Sequence, residues 1–208
     1  RTAHPWEGTT EIEVTRCSSP GRWNLSVRSP EWAHRQGTRL TLNGNPVESS
    51  WEGSYITVGR HWGPGDCLRV SSPVPVRVLR PHSRVDAVRE CAAIQRGPLV
   101  YCVEADDLEE GIAVEDIALD TSCTLRPVKD APSDLEGHVR CAIVAAGERV
   151  DGSVGQLYDD EGAVRPGNEP LVLTLVPYFA RGNRAGVAMR VWLPAPRGQT
   201  AVRQTELV

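Results

Sequence analysis

The stretch Trp23-Asn24-Leu25-Ser26-Val27-Arg28 alternates apolar and polar residues without a break. Period two sends successive side chains to opposite faces, so one face is buried and the other wet, as in a half-buried β-strand. The same rhythm continues outward on both sides. Glu11-Ile12-Glu13-Val14 precedes the stretch, and Arg39-Leu40-Thr41-Leu42 and Tyr55-Ile56-Thr57-Val58 follow it. Asn43-Gly44-Asn45-Pro46 opens with the hairpin dipeptide, whose residues accept the left-handed backbone of a tight turn. Trp62-Gly63-Pro64-Gly65-Asp66 marks another turn, before Leu68-Arg69-Val70. Val74-Pro75-Val76-Arg77-Val78 belongs at a sheet edge, because Pro73 and Pro75 have no N–H to give to a ladder. Strands recurring at about ten- to twelve-residue spacing, with turns between them, predict an antiparallel sandwich. Helical periodicity is absent from this half, apart from one turn at Glu31-Trp32-Ala33 opened by Pro30.

Near residues 80–90 the pattern changes. Ala92-Ala93-Ile94 and Leu99-Val100-Tyr101-Cys102-Val103 are continuously apolar, as strands covered on both faces are, and Arg96-Gly97-Pro98 turns between them. Cys141-Ala142-Ile143-Val144-Ala145, Leu171 to Val176 and Met189-Arg190-Val191-Trp192-Leu193 are further strands. Residues 120–138 are irregular, 147–169 form the longest loop candidate, and the polar end reads as a frayed tail.

With 208 residues, the chain can hold one large β-domain or two small ones. Hydrophobic residues at 40% and charged residues at 24% are ordinary for a globular protein, and 19 Gly with 16 Pro suit many short strands. A net charge of -4 points away from nucleic acid and from acidic membrane surfaces. Apolar runs stay well short of the ~18 residues of a transmembrane helix. Of the 23 basic residues only Lys129 is lysine, and the scatter of the arginines fits codon bias better than a guanidinium-lined site. The chain begins at Arg1 and its one methionine is Met189, so it reads as a piece of a longer polypeptide. Localisation stays open on this reading, with the cytoplasm as the working expectation.

Six cysteines (Cys17, Cys67, Cys91, Cys102, Cys123 and Cys141) show no Cys-x-x-Cys spacing, and none of the five histidines sits beside them. A tetrahedral zinc site normally announces itself by a close ligand pair, so a metal centre is not expected. Disulfides stay open. The carboxylate runs Asp106-Asp107, Glu109-Glu110 and Asp159-Asp160-Glu161 could be proposed for glycosidic acid/base work. Adjacency does not place two carboxyls across one bond, and such runs are ordinarily solvated loops. Gly152-Ser153-Val154-Gly155 only superficially resembles a nucleophile elbow. The oddest feature is six Trp against one Phe. Trp23 and Trp192 lie in strands and belong to the core. Trp6, Trp32, Trp51 and Trp62 lie near turns, where an indole face can stack on a sugar or pack between domains.

Several stretches taken in order resemble the C-terminal region of glycoside hydrolase family 127, the β-L-arabinofuranosidase family. They are His4-Pro5-Trp6-Glu7-Gly8, Val27-Arg28-Ser29-Pro30-Glu31-Trp32-Ala33, Leu42-Asn43-Gly44 and Gly53-Ser54-Tyr55-Ile56. Arg60 to Asp66, Gln95 to Glu104, Val176 to Arg184 and Met189 to Leu193 complete the series, which spans residues 4–193. The resemblance implies an all-β region of two antiparallel, jelly-roll-like β-sandwiches, the second inserted into the first. Residues 1–88 and 185–196 would form sandwich I, 89–184 sandwich II, and 197–208 a polar tail.

It also implies that the chemistry lies elsewhere. The family's cysteine nucleophile, and a zinc held by Glu and Cys within Cys-Cys and Glu-x-Cys motifs, belong to an (α/α)6 barrel. This chain has neither motif. The expectation is therefore a non-catalytic accessory region, with no catalytic, cofactor or metal residues of its own. Zinc is expected in the parent's barrel, and the candidate partners are that barrel, carbohydrate and a second copy of the chain. The alternative is an autonomous carbohydrate-binding module using Trp6, Trp32, Trp51 and Trp62. A stand-alone hydrolase is a third reading.

Overall fold

The computed structural model describes residues 1–18, 21–33, 37–129, 132–135, 137–150, 169–181 and 187–195. The chain divides into two compact units, Arg1–Pro75 and Val76–Val208. It is all-β, and among the described residues every strand pairing is antiparallel.

The first unit is a sandwich of two sheets. One sheet joins β1 (Thr9–Glu13), β7 (Cys67–Ser71), β3 (Arg39–Leu42) and β4 (Asn45–Pro46), in that order. The other joins β2 (Arg22–Arg28), β6 (Tyr55–His61) and β5 (Ser50–Glu52). Exposure along β2 alternates residue by residue, with Trp23, Leu25 and Val27 turned inward. The β2–β6 register sets Leu25 opposite Val58 and Val27 opposite Ile56. Both sheets feed one core of Val14, Leu42, Ile56, Val58, Leu68 and Val70, against which Ile12, Leu25 and Val27 also pack. Burying a side chain of this size stabilises by about 1.5–3 kcal/mol.

The β3–β4 hairpin turns at Asn43 (φ 52°) and Gly44 (φ 87°), both left-handed as the Asn-Gly pair predicts. Asn43 also ties this hairpin to the β6–β7 turn. Its Nδ2 donates to Asp66 Oδ1 (2.8 Å), and its Oδ1 accepts from the Cys67 N–H (2.8 Å). Asp66 Oδ2 accepts from the Gly63 N–H at 2.9 Å. These bonds favour the carboxylate, so the Asp66 pKa falls below its ordinary 3.8, the Gly63 N–H being the largest cause and the Asn43 amide the next. A depressed folded-state pKa gives stability that is full above the unfolded value and lost as pH falls through the folded one. Acidification from about pH 6 to pH 3 is therefore expected to lower the urea midpoint of this unit, and Asp66→Asn to flatten that slope. An unchanged slope in Asp66→Asn would remove Asp66 as the cause.

Among the described residues, the second unit is one nine-stranded sheet. Its main path runs β11 (Ile117–Leu119), β13 (Ala142–Arg149), β14 (Glu169–Pro177), β10 (Leu99–Glu104), β9 (Cys91–Arg96) and β16 (Leu193–Pro194). β12 (Arg126–Val128) pairs β13, β15 (Met189–Arg190) pairs β10, and β8 (Val76–Leu79) pairs β9. The end strands β11 and β16 lie against each other, so the sheet curls around a single core. Ile94, Tyr101, Ile117, Ile143, Leu173 and Leu193 fill that core, all fully buried. The β9–β10 hairpin turns at Gly97 (φ 55°), as Arg96-Gly97-Pro98 predicts.

Two expectations differ from the structure. The division falls at Pro75/Val76 rather than at residue 88, because β8 pairs with β9 of the second unit. The last strand does not return to the first sandwich. Leu193 pairs with Ala92 and Pro194 with Cys91, while Met189 pairs with Glu104, so β15 and β16 stay in the second unit. The physical reason lies along one edge of β9. β8 covers Ala93 to Arg96 and leaves Cys91 and Ala92 open, and β16 fills that gap while burying Leu193. β8 pairs with β9 alone, which makes it an edge strand directly after Pro73 and Pro75. The expected polar tail, 197–208, and most of the loop candidate, 151–168, lie outside the described residues.

Candidate functional site

The four candidate tryptophans all fall in the first unit, and their surroundings differ. Trp62 is only 6% exposed and stands in the core. Its Nε1 donates to the Trp23 carbonyl (3.2 Å), the two indoles tilt together at 5.4 Å between centroids, and Arg60 lies over the Trp62 ring. That corrects the placement of Trp62 as an exposed contact residue. Gly63 and the turn that follows carry the chain away while the indole itself folds inward. Trp6 is half-buried, and its N–H donates to the Ala3 carbonyl at 2.9 Å. Trp32 is half-buried with its ring 5.7 Å from that of His4. Trp51 sits in β5, packed partly against the core.

Trp51 and the turn after β2 form a groove. β2 ends at Arg28, and the chain then makes one turn in which the Ala33 N–H donates to the Pro30 carbonyl (2.9 Å). The β5–β6 hairpin reverses at Gly53, whose φ of 60° suits glycine. The Ser29 N–H donates to the Ser54 carbonyl at 2.7 Å and pins the two segments together. Between them lies a groove of about 320 Å³, with Pro30 and Ala33 as apolar surface, Trp51 as aromatic wall, and Ser29, Glu31 and Ser54 as polar groups. Ser29 and Pro30 also line a smaller cavity of about 70 Å³, shared with His4, Trp32, Thr10 and Ser72. Trp6 lines neither of the two.

Ser29 is not among the site residues that the sequence predicts. It is 7% exposed, and its Oγ is buried without a hydrogen-bond partner among the described residues. A buried hydroxyl left unpaired costs about 1–3 kcal/mol, so its position calls for a physical account. A serine following an alternating strand and preceding proline is the only sequence signal for it.

The other chemical groups stay apart. None of the six cysteines is joined in a disulfide; Cys91, Cys102 and Cys141 are buried, and Cys123 is exposed. Asp106 and Asp107 sit in a short 3-10 turn, Glu109 and Glu110 are exposed, and residues 159–161 lie outside the described residues. Among the described residues no three His, Cys, Asp or Glu side chains come together as a metal ligand set.

Residues 1–74 match the sequence model described as the middle domain of GH127 β-L-arabinofuranosidase, and residues 76–194 match that of the glycoside hydrolase family 127 C-terminal domain. The chain belongs to glycoside hydrolase family 127. The boundary between the two family 127 domains coincides with the structural division at Pro75/Val76.

A "non-reducing end β-L-arabinofuranosidase" of Bifidobacterium longum subsp. longum is 30% identical over 203 residues, which is 92% of this chain and 29% of that protein. A solved structure described as a glycoside hydrolase superposes with a TM-score of 0.81 at 30% identity, over 95% of this chain and 32% of that one. The crystal structure of a GH127 β-L-arabinofuranosidase from Geobacillus stearothermophilus T6 gives 0.79 at 32% identity, over 94% and 30%. The chain thus spans less than a third of each of these relatives.

Proposed function

We propose that this chain is the non-catalytic β region of a β-L-arabinofuranosidase-type glycoside hydrolase, and that it supports a separate catalytic barrel. The observation that carries the reading is the extent of the match. Both family models that fit the chain describe middle and C-terminal domains, and together they account for residues 1–74 and 76–194. More than two thirds of each compared relative lies outside the matched region. On this reading the cysteine nucleophile and the zinc belong to the barrel. The β region's contribution is to hold the barrel's fold and rim, by surface contact rather than by bond making.

The test uses the purified 208-residue chain and an aryl β-L-arabinofuranoside. No release of the aryl group is expected from the folded chain, with or without added zinc. Co-expression with a family 127 catalytic region is expected to raise the yield of soluble, active enzyme over that region alone. Turnover by the chain itself, abolished by changing one of its carboxylates, would overturn the reading.

A further inference from the structure

We infer that the groove between the β2 end and the β5–β6 hairpin binds a single neutral sugar ring. This goes beyond the accessory reading and does not depend on it. Two stretches about twenty residues apart in the chain, Ser29–Ala33 and Trp51–Ser54, meet at this groove. What they bring is the mixture a carbohydrate needs: an aromatic wall for the C–H face of a ring, and polar groups able to give and take hydrogen bonds.

Trp51 is the wall. Glu31, exposed at the rim, accepts hydrogen bonds from sugar hydroxyls, and the Ser54 hydroxyl both donates and accepts. Ser29 supplies the independent indication. Its hydroxyl is buried with no hydrogen-bond partner among the described residues, on a residue that lines both the groove and the smaller cavity, and rotation about its Cα–Cβ bond would turn it toward a hydroxyl-bearing guest.

Charge and size narrow the guest. Among the described residues the lining holds one carboxylate and neither lysine nor arginine, which disfavours phosphates and uronic acids. A single carboxylate above Pro30 and Ala33 is too few oxygen ligands for a calcium ion, which takes about six to eight. A volume of about 320 Å³ lies at the small end of ligand sites, enough for one ring and not for an extended chain.

The experiment titrates the ¹⁵N-labelled 208-residue chain with L-arabinose, D-xylose and D-galactose, following backbone and indole N–H shifts. The expected result is a saturating shift confined to the Trp51 indole and the Gly53, Ser54 and Glu31 amides. For so small a ligand the dissociation constant is expected on the order of 1 mM. Pentoses and the hexose are separate arms, and whichever binds more tightly identifies the ring. Trp51→Ala and Glu31→Ala are each expected to weaken binding about tenfold or more. Because Trp51 also packs on the core, Trp51→Ala can fail to fold; the exposed Glu31→Ala and Ser54→Ala then decide. No saturating shift with any of the three sugars, shifts spread away from the groove, or undiminished binding in Glu31→Ala would overturn the inference. Such a failure leaves the accessory reading intact, since turnover tests that reading separately.

Discussion

Gly8→Ala is expected to destabilise the first unit by about 3 kcal/mol, because overpacking against an atom that cannot move costs the top of the usual range. A Cβ at residue 8 would stand 1.8 Å from the Ser72 carbonyl oxygen and 2.8 Å from its carbon. Neither atom is free to retreat. The Ser72 N–H donates to the Gly8 carbonyl (2.8 Å), the neighbouring pair Thr9 and Ser71 is locked in the β1–β7 ladder, and the Ser72 and Thr38 hydroxyls lie 3.0 Å apart. The methyl group must therefore push two chain segments apart at the start of β1. For a unit of this size, the cost corresponds to a thermal midpoint lower by roughly 12–24 °C. Tryptophan fluorescence reads it well, since Trp6, Trp23, Trp32, Trp51 and Trp62 all lie in this unit. A midpoint within about 2 °C of the parent would show that the close approach is not structural.

Leu173→Ala is expected to have a comparable effect in the second unit. Leu173 is fully exposed to its neighbours and not at all to water, at 0% solvent exposure, whereas Val172 beside it is 75% exposed. Period two places them on opposite faces of β14. Leu173 lies across from Ala145, and its Cδ1 occupies the space where a side chain on Gly147 would stand, 2.5 Å from that site. The small residues around it cannot swell to fill a hole. Truncation should therefore cost about 3–5 kcal/mol, while Val172→Ala stays within about 0.5 kcal/mol. Amide hydrogen exchange along β13 and β14 measures both locally. Equal protection in the two variants would mean the register of β14 is wrong by one residue.

The first unit was legible because alternation carries its own face assignment. Trp23, Leu25 and Val27 turn inward as the bare sequence says, and Asn43-Gly44 adopts the backbone its residue types favour. The second unit was legible as strands but not as a topology. A run such as Ala92-Ala93-Ile94 says only that it is covered, not by what. Ile117–Leu119 and Arg126–Val128 have three residues each, too short to show a period, and Pro127 argues locally against a strand. The destination of Met189–Leu193 rests on pairing with residues about a hundred positions away, which no local pattern encodes.

At the candidate site, turn proximity did not reveal that the Trp62 indole is buried in the core. Exposure there depends on which way one indole folds after β6 ends. Ser29 was invisible as a site residue, because an unpaired hydroxyl is a property of its neighbours rather than of its letter.

The pairing of β15 and β16 with β10 and β9 also bears on how the protein is made on the ribosome. Every strand of the first unit's two sheets lies between Thr9 and Ser71. A nested arrangement would have left that sandwich with an open edge until residue 193 emerged. Here the sandwich can close while the rest of the chain is still being synthesised, and its apolar faces need not wait, exposed, for the last strand.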